Sequence, residues 1–357
     1  MFDKDRLRIA RQYAAIRKID LARVVGLTPS ALTQIETGTV KPKTATLMSL
    51  ALALGFPIEH FIADGHRAPV VTESGRSFFR SLRSTRQIDR DQAEAQAILS
   101  NEVLRGLEAF VKLPPCDLPS SLFLPEDASF EAVELAAEKL RSIWNIPNGP
   151  IANVVRLLES HGVAVTKSGS ACAEVDSFSK WFDERPLVVL RAEKDDLPRL
   201  RFDAAHELGH LVLHSDIEPA NRVLEQQAHR FAAALLMPRR EIRALLPSGF
   251  HLREYGQLKG VWGVSIQALL YRARDLGQMS DATYRRAMMS LSSQGLRRNE
   301  PFPLRGEEEP MLWRRALEVV ESRGVSVRDF EKRLRLPSGF LSMVASTGKD
   351  QRPRINL

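Results

Sequence analysis

Residues Arg199 to Pro238 concentrate the groups able to do chemistry: RLRFDAAHELGHLVLHSDIEPANRVLEQQAHRFAAALLMP. His206, Glu207 and His210 stand in H-E-x-x-H spacing. On an α-helix, positions i and i+4 share a face and lie about 6 Å apart along the axis. Two imidazoles so placed can reach one tetrahedral zinc, and the glutamate beside the first can take a proton from a water at the metal. Phe202, Ala205, Leu208, Val212 and Leu213 make the surroundings apolar and helical. Gly209 sits mid-helix, where glycine costs roughly 1 kcal/mol unless close packing or ligand approach calls for it.

One Zn2+ per chain needs a third protein ligand if a fourth position is to stay open. The helix expected over Asn221 to Leu236 buries Ala228, Phe231, Ala232, Leu235 and Leu236, and Glu225 heads that same apolar face. An inward carboxylate is costly unless paired or metal-bound, so Glu225 is the candidate, with Glu218 as its rival. His214 follows His210 by four residues, too far along a straight helix for all three histidines to close on one metal. It is read as a supporting residue behind the ligands, and so is His229, one turn beyond Glu225. Arg201, His229 and Tyr271 are candidates for the oxyanion partner.

The elements that must position this helix follow from periodicity. Phe130 to Trp144 and Ile151 to His161 have amphipathic helical patterns. Val163 to Thr166, Val175 to Phe182 and Leu187 to Leu190 read as strands of a small sheet. Downstream, Glu241 to Leu246, a Val264-Ser265 turn with a helix from Ile266, and Asp281 to Leu291 complete a domain of residues 128–295.

Residues 1–66 form a separate head of short helices at Lys4–Ala15, Ile19–Val25, Ser30–Glu36, Ala45–Leu54 and Ile58–Ile62. Thr28 caps the third with Pro29 at its first position, and Thr44 is expected to cap the fourth. Two short helices joined by a glycine-containing turn fit a helix-turn-helix. Ala31, Leu32 and Ile35 then face inward, leaving Thr28, Pro29, Ser30, Thr33 and Gln34 toward base edges, where the Gln34 amide can pair with adenine. Arg17, Lys18, Lys41 and Lys43 flank the helix and suit phosphate contacts with double-stranded DNA. Between Lys4 and Lys43 nine Lys/Arg oppose three Asp/Glu, an excess that fits a polyanionic partner.

Residues 67–127 are a connector: an extended helical segment over Ser74–Lys112, carrying Arg76, Arg80, Arg83 and Arg86 as a basic ridge, then the proline-rich LPPCDLPSSLFLP. Residues 296–357 begin with a polar linker at Arg297–Pro310. They then form a small helical region at Trp313–Arg323, Val327–Leu334 and Ser338–Ala345, which packs on the sheet or mediates dimerisation. The fold class is mainly α with a small β-sheet: an all-α head, a helical connector, an α+β zincin-like domain and a small helical C-terminal region. At 357 residues the chain exceeds one core. No apolar run approaches the ~20 residues of a membrane span, and the first residues lack the apolar core of a signal peptide. Cys116 and Cys172 are the only cysteines, which implies no disulfide framework and a cytoplasmic setting.

Two resemblances sharpen this. Leu21-Ala22, Gly26-Leu27-Thr28, Leu32, Ile35-Glu36, Gly38, Pro42 and Leu50-Ala51-x-x-Leu54-Gly55 resemble the Cro/C1-type repressor family, whose heads bind paired half-sites as homodimers. AHELGHLVLH and the E-x-x-A-x-x-F-A-x-x-L-L-M-P segment from Glu225 to Pro238 resemble the ImmA/IrrE family of metallo-endopeptidases, with DSFSKWF, RPLVVL and RLRFDAAHELGH extending the match. That resemblance implies zinc binding by His206, His210 and Glu225 and catalysis by Glu207. Many relatives have an acid where this chain has Gln227, so Glu225 is the only acid of its segment. It further implies site-specific cleavage of a repressor, an antitoxin-like regulator or the chain itself in a stress or mobile-element response. The alternative is a transcription factor whose peptidase-like domain serves as sensor or scaffold.

Overall fold

The computed structural model describes residues 1–63, 77–79, 86–168, 176–183, 185–191, 196–214 and 222–345, with only the backbone course at 77–79. The head comprises α1 (Lys4–Tyr13), α2 (Lys18–Val24), α3 (Pro29–Thr37) and α4 (Thr44–Leu54), followed by a 3₁₀ turn at Ile58–Phe61. The Thr28 hydroxyl accepts from the Ala31 N–H at 3.1 Å and starts α3, while Gly38, at φ +79°, ends it in the left-handed region. The fourth helix differs from expectation. Its N-cap is Lys43, one residue early, and makes no side-chain cap bond.

The connector also departs from the expected continuous helix. Its helix α5 spans Gln87–Glu108, but Ser77–Phe79 is a short strand, β1. Helical spacing of Phe78 and Phe79 with later residues gave the wrong period, because adjacent aromatics favour a strand equally well. Arg76, Arg80 and Arg83 of the anticipated basic ridge, with Glu218 and Cys172, lie outside the described residues.

After α6 (Phe130–Ile143) and α7 (Val154–Ser160) come β2 (Ala164–Lys167), β3 (Phe178–Phe182) and β4 (Arg185–Leu190). The sheet order is β1-β3-β4-β2, with β2 parallel to β4 and the other neighbours antiparallel. α8 (Leu197–Leu213) and α9 (Arg222–Leu236) follow, then α10 (Arg239–Ile242), α11 (Leu252–Trp262), α12 (Ile266–Asp275) and α13 (Asp281–Ser293).

The sheet divides two hydrophobic cores. Alternation along a strand sends successive side chains to opposite faces. Val188 and Leu190 join α6–α9 and α11–α13 on one side, while Leu187, Val189, Phe178 and Phe182 join α5 and the head on the other. The C-terminal helices α14 (Leu312–Ser322), α15 (Val327–Leu334) and α16 (Phe340–Ala345) belong to this second core. The Trp313 indole donates to the Val165 carbonyl of β2 at 2.6 Å, and Phe340 meets Tyr13 of the head with ring centroids 5.5 Å apart. Of the two expected roles for this region, packing on the sheet is the one seen.

These C-terminal helices also repeat the head. A shift of 309 positions takes Leu21 to Phe330, and both N–H groups bond four residues back, to Arg17 and to Ser326. The same shift takes the Leu27 to Ala22 bond onto Leu336 to Glu331, and Ile16 to Arg11 onto Val325 to Val320. The left-handed residues coincide as well: Ala15 with Gly324, and Gly26 with Arg335. The turn between α15 and α16 therefore has the backbone of the turn between α2 and α3.

The segment expected as a polar linker is instead a strap. Glu300 accepts from the Ile266 and Gln267 N–H groups at the start of α12 and pairs with Lys259. Glu308 accepts from Val154 and Val155 at the start of α7 and forms a buried ion pair with Arg201 of α8. Two of its carboxylates cap helices, while Arg297, Arg298, Asn299, Arg305 and Glu307 stay exposed. Arg201 is thereby committed to Glu308 and to the carbonyls of Ile151 and Ala152, which removes it as an oxyanion partner. Breaking a buried pair strands its partner, so Glu308→Ala should cost about 3–5 kcal/mol in urea unfolding.

Glu159 adds a pH dependence. Its carboxyl, 6% exposed, accepts from Met311 and Leu312 at the start of α14, and burial pushes it up from 4.5 to about 7. The folded state thus favours the protonated acid more than the unfolded chain does. This contribution is fully present below pH ~4.5 and is lost as pH rises through ~7. Glu159→Gln should flatten the stability profile in that window, by an amount on the order of 3 kcal/mol.

Candidate metal centre and DNA-facing helix

α8 begins where the Asp196 carboxylate accepts from Arg199, with Pro198 in the first turn. Gly209 allows α9 to approach: a Cβ there would meet Phe231 at 3.1 Å and the Ala228 backbone at 3.2 Å. The helix-interior glycine is therefore a packing requirement. That approach brings Glu225, in the first turn of α9, against the histidines of α8. His206 Nε2 lies 3.3 Å from Glu225 Oε2, His210 Nε2 lies 3.4 Å from Glu225 Oε1, and the two Nε2 atoms are 3.1 Å apart. His206 and His210 are buried, and Glu225 is partly open. Burial alone would raise the Glu225 carboxyl, but hydrogen bonds from His206 and His210 outweigh it and hold the group well below the usual carboxylate range.

Hydrogen bonds behind His210 fix which of its nitrogens carries the proton. The Gln227 amide NH₂ faces the carbonyls of Pro125 and Glu126, at 3.3 and 2.9 Å. Only its oxygen is left for His214 Nε2, 2.9 Å away, so His214 is protonated there and donates. Burial pushes the His214 imidazole down from 6.5 to about 4, assisted by His210, so it is neutral near pH 7. Its Nδ1 then accepts from His210 Nδ1, 3.1 Å away. In that tautomer His210 can present its Nε2 lone pair to a metal ion, whereas without an ion a proton on Nε2 bonds the Glu225 carboxylate.

These groups, facing one another at 3.1 to 3.4 Å, repel unless a proton or a metal ion lies between them. Nitrogen and oxygen ligands about 2.0–2.1 Å from zinc stand roughly 3.3–3.4 Å apart at the corners of a tetrahedron. The three donors have that spacing, so their chemistry and their geometry both fit such an ion. Among the described residues this is the one cluster of at least three His, Cys, Asp or Glu side chains suited to a metal.

Glu207, 1% exposed, lies on the sheet side of α8, where the Ser179 hydroxyl of β3 donates to its Oε2 at 2.9 Å. Reading of the sequence did not single out Ser179. Its signal is a small polar residue at an inward position of a strand in D-S-F-S-K-W-F. His229 contacts Phe202 and Tyr271, with centroids 4.8 and 5.3 Å apart, and Arg274 lies over Tyr271. These contacts put the His229 and Tyr271 rings in an aromatic cluster beside α9.

In the head, Thr28, Pro29, Ser30, Thr33 and Gln34 are all exposed at the N-terminal end of α3, as expected. Lys41 and Lys43 are exposed beyond it. Arg17 is exposed and pairs with Asp20 at 2.6 Å. Lys18 has a second partner besides the surface it shares with Arg17. Together with Arg11 it neutralises the buried carboxylate of Glu36, from which its Nζ stands 3.0 Å away.

The chain thus joins a helix-turn-helix head to a metallopeptidase-like domain. Residues 5–61 match a family model described as a helix-turn-helix domain, and residues 158–274 match the peptidase family model described as the IrrE N-terminal-like domain. It is a fusion of these two domain types. No curated protein matches the chain. No helix among the described residues is long and apolar enough to cross a membrane.

The relay behind His210 generates a prediction. His214→Phe keeps the volume and removes the acceptor for His210 Nδ1, and zinc affinity measured by chelator competition should fall about 10- to 100-fold.

Proposed function

We propose that the chain is a cytoplasmic transcription regulator that binds double-stranded DNA through α3 and hydrolyses a peptide bond in a regulatory protein, or in itself, at a zinc site. The observation that carries this reading is the convergence of His206, His210 and Glu225 beside a glutamate whose carboxylate is positioned by Ser179. His206, His210 and Glu225 would hold the ion, which when bound polarises the scissile carbonyl and its attacking water. Glu207 takes the proton from that water on a carboxylate oxygen and delivers it to the leaving amine. Ser179 keeps the Glu207 carboxylate in one rotamer, and the apolar walls of α8 keep bulk water from competing for the proton. His214 and Gln227 hold His210 in the tautomer that offers Nε2 to the ion.

The sensor or scaffold reading needs the metal but no proton transfer, so one variant separates the two. Glu207→Gln should retain one zinc per chain and lose at least about 100-fold in cleavage of candidate regulators. Cleavage equal to that of the unaltered chain rejects Glu207 as the base. Absence of cleavage by both, with zinc bound in both, favours the sensor.

For DNA, Gln34→Ala should cost about 1–3 kcal/mol at a single base pair of a selected site. Lys43→Ala should weaken binding to all sequences alike and reduce the slope of log K against log salt by about 1. Both are read by fluorescence anisotropy across a salt series.

A further inference from the structure

The strand that positions the general base has a neighbour from the connector. β3 lies between β4 and β1, so without β1 its outer side would be an open sheet edge. β1 runs antiparallel to β3, with Ser77 opposite Lys180, Phe78 opposite Ser179 and Phe79 opposite Phe178. Phe78 therefore lies directly across the ladder from the residue whose hydroxyl holds Glu207. Paired strands are about 4.8 Å apart.

An open edge presents a row of backbone donors and acceptors that captures extended polypeptide whatever its sequence. Here that row runs past Ser179 and the base it supports. A peptide bond has to be presented as extended chain beside the base before a proton can be moved, and β3 offers the ladder for it. The segment in place is tethered at both ends, by the head before it and by α5 behind the sheet. Lys180 pairs with Glu94 and the Gln96 amide donates to Lys167, fixing α5 against this sheet. Tethering gives such a segment an effective concentration in the millimolar range, enough to exclude a free polypeptide of modest affinity.

We propose that the outer edge of β3 is the polypeptide-docking edge of the metal site, and that connector strand β1 holds that edge in cis as a built-in competitor. The assignment rests on the peptidase reading of the site. Its consequence is that a protein substrate docks only when residues 77–79 have left the ladder, and the connector joins that step to the DNA-binding head.

Two opposed alterations test it in the full chain. Ser77→Pro with Phe78→Pro removes one ladder donor whichever of the two N–H groups faces β3, because successive N–H groups alternate in direction. Ser77→Cys with Lys180→Cys, in a chain carrying Cys116→Ser and Cys172→Ser, places thiols at directly opposed positions, where a disulfide can lock the strand. The probe is a fluorescent synthetic peptide of residues 74–82, SGRSFFRSL, with binding read by anisotropy in zinc-loaded chains that also carry Glu207→Gln. The peptide should bind the proline chain at least tenfold tighter than the chain with native Ser77 and Phe78. It should bind the oxidised double-cysteine chain at least tenfold more weakly than the same chain after reduction.

Equal binding to oxidised and reduced protein overturns the proposal, even if the proline chain misfolds, and so does failure of the two cysteines to join. Retention of these binding differences while no chain with Glu207 intact cleaves any candidate regulator would remove the peptidase reading and leave the docking edge standing.

Discussion

The approach of α9 to α8 at Gly209 is the constraint on which the site depends. With any side chain there, Ala228 and Phe231 would have to move by a few tenths of an ångström, and Glu225 would draw away from the histidines. The approach leaves three ligand-type groups within 3.4 Å of one another, an arrangement that a proton or a metal ion relieves. Close packing is therefore what assembles the candidate site. The protein holds these groups together, and a metal ion taken up there would link folding stability to metal binding. The strap acts in the same direction from the far end of the helix, since Glu308 anchors Arg201 five residues before His206 and joins α8 to α7.

The sheet carries the second dependence. One face of β3 and β4 supports α8 and the metal site, and the other face rests on α5, which packs against the head. Phe178 and Ser179 are adjacent in sequence and belong to opposite sides of this partition. Displacement of the head or α5 would be felt through Phe178 and Phe182 by the strand whose serine sets the rotamer of Glu207. A two-sided sheet of so few strands has little capacity to absorb such a shift, because packed interfaces respond by switching rather than by gradual deformation.

What the sequence disclosed followed the range of the interactions involved. H-E-x-x-H and the amphipathic run after Glu225 are local patterns, and the positions they imply for His206, His210 and Glu225 are those observed. The exposed end of α3 was legible for the same reason, as Thr28 and Pro29 mark the start of that helix within a few residues. Ser179, Gln227 and Glu308 were not legible in their roles. Each acts on a residue between 13 and 107 positions away, and nothing in the neighbouring sequence announces a partner so distant. Lys18 shows the converse. Its charge and place beside the helix-turn-helix suit phosphate, and it also pairs with the buried Glu36, a partner that local spacing did not announce.

The C-terminal helices show how far a local pattern can go without fixing a role. Turn, capping position and left-handed residue recur 309 positions after those of the head, so the same backbone is specified twice. The difference lies in which side chains the second helix buries. Position 31 is half-buried alanine in α3, whereas its counterpart Phe340 is buried and packs on Tyr13. Arg335, the counterpart of Gly26, bonds to the carbonyls of Glu59 and Ile62 in the head. In α16 the buried Phe340, at the inward-facing position of Ala31, helps seat the head against β2, while Ser338, Gly339 and Ser342, the counterparts of Pro29, Ser30 and Thr33, stay exposed.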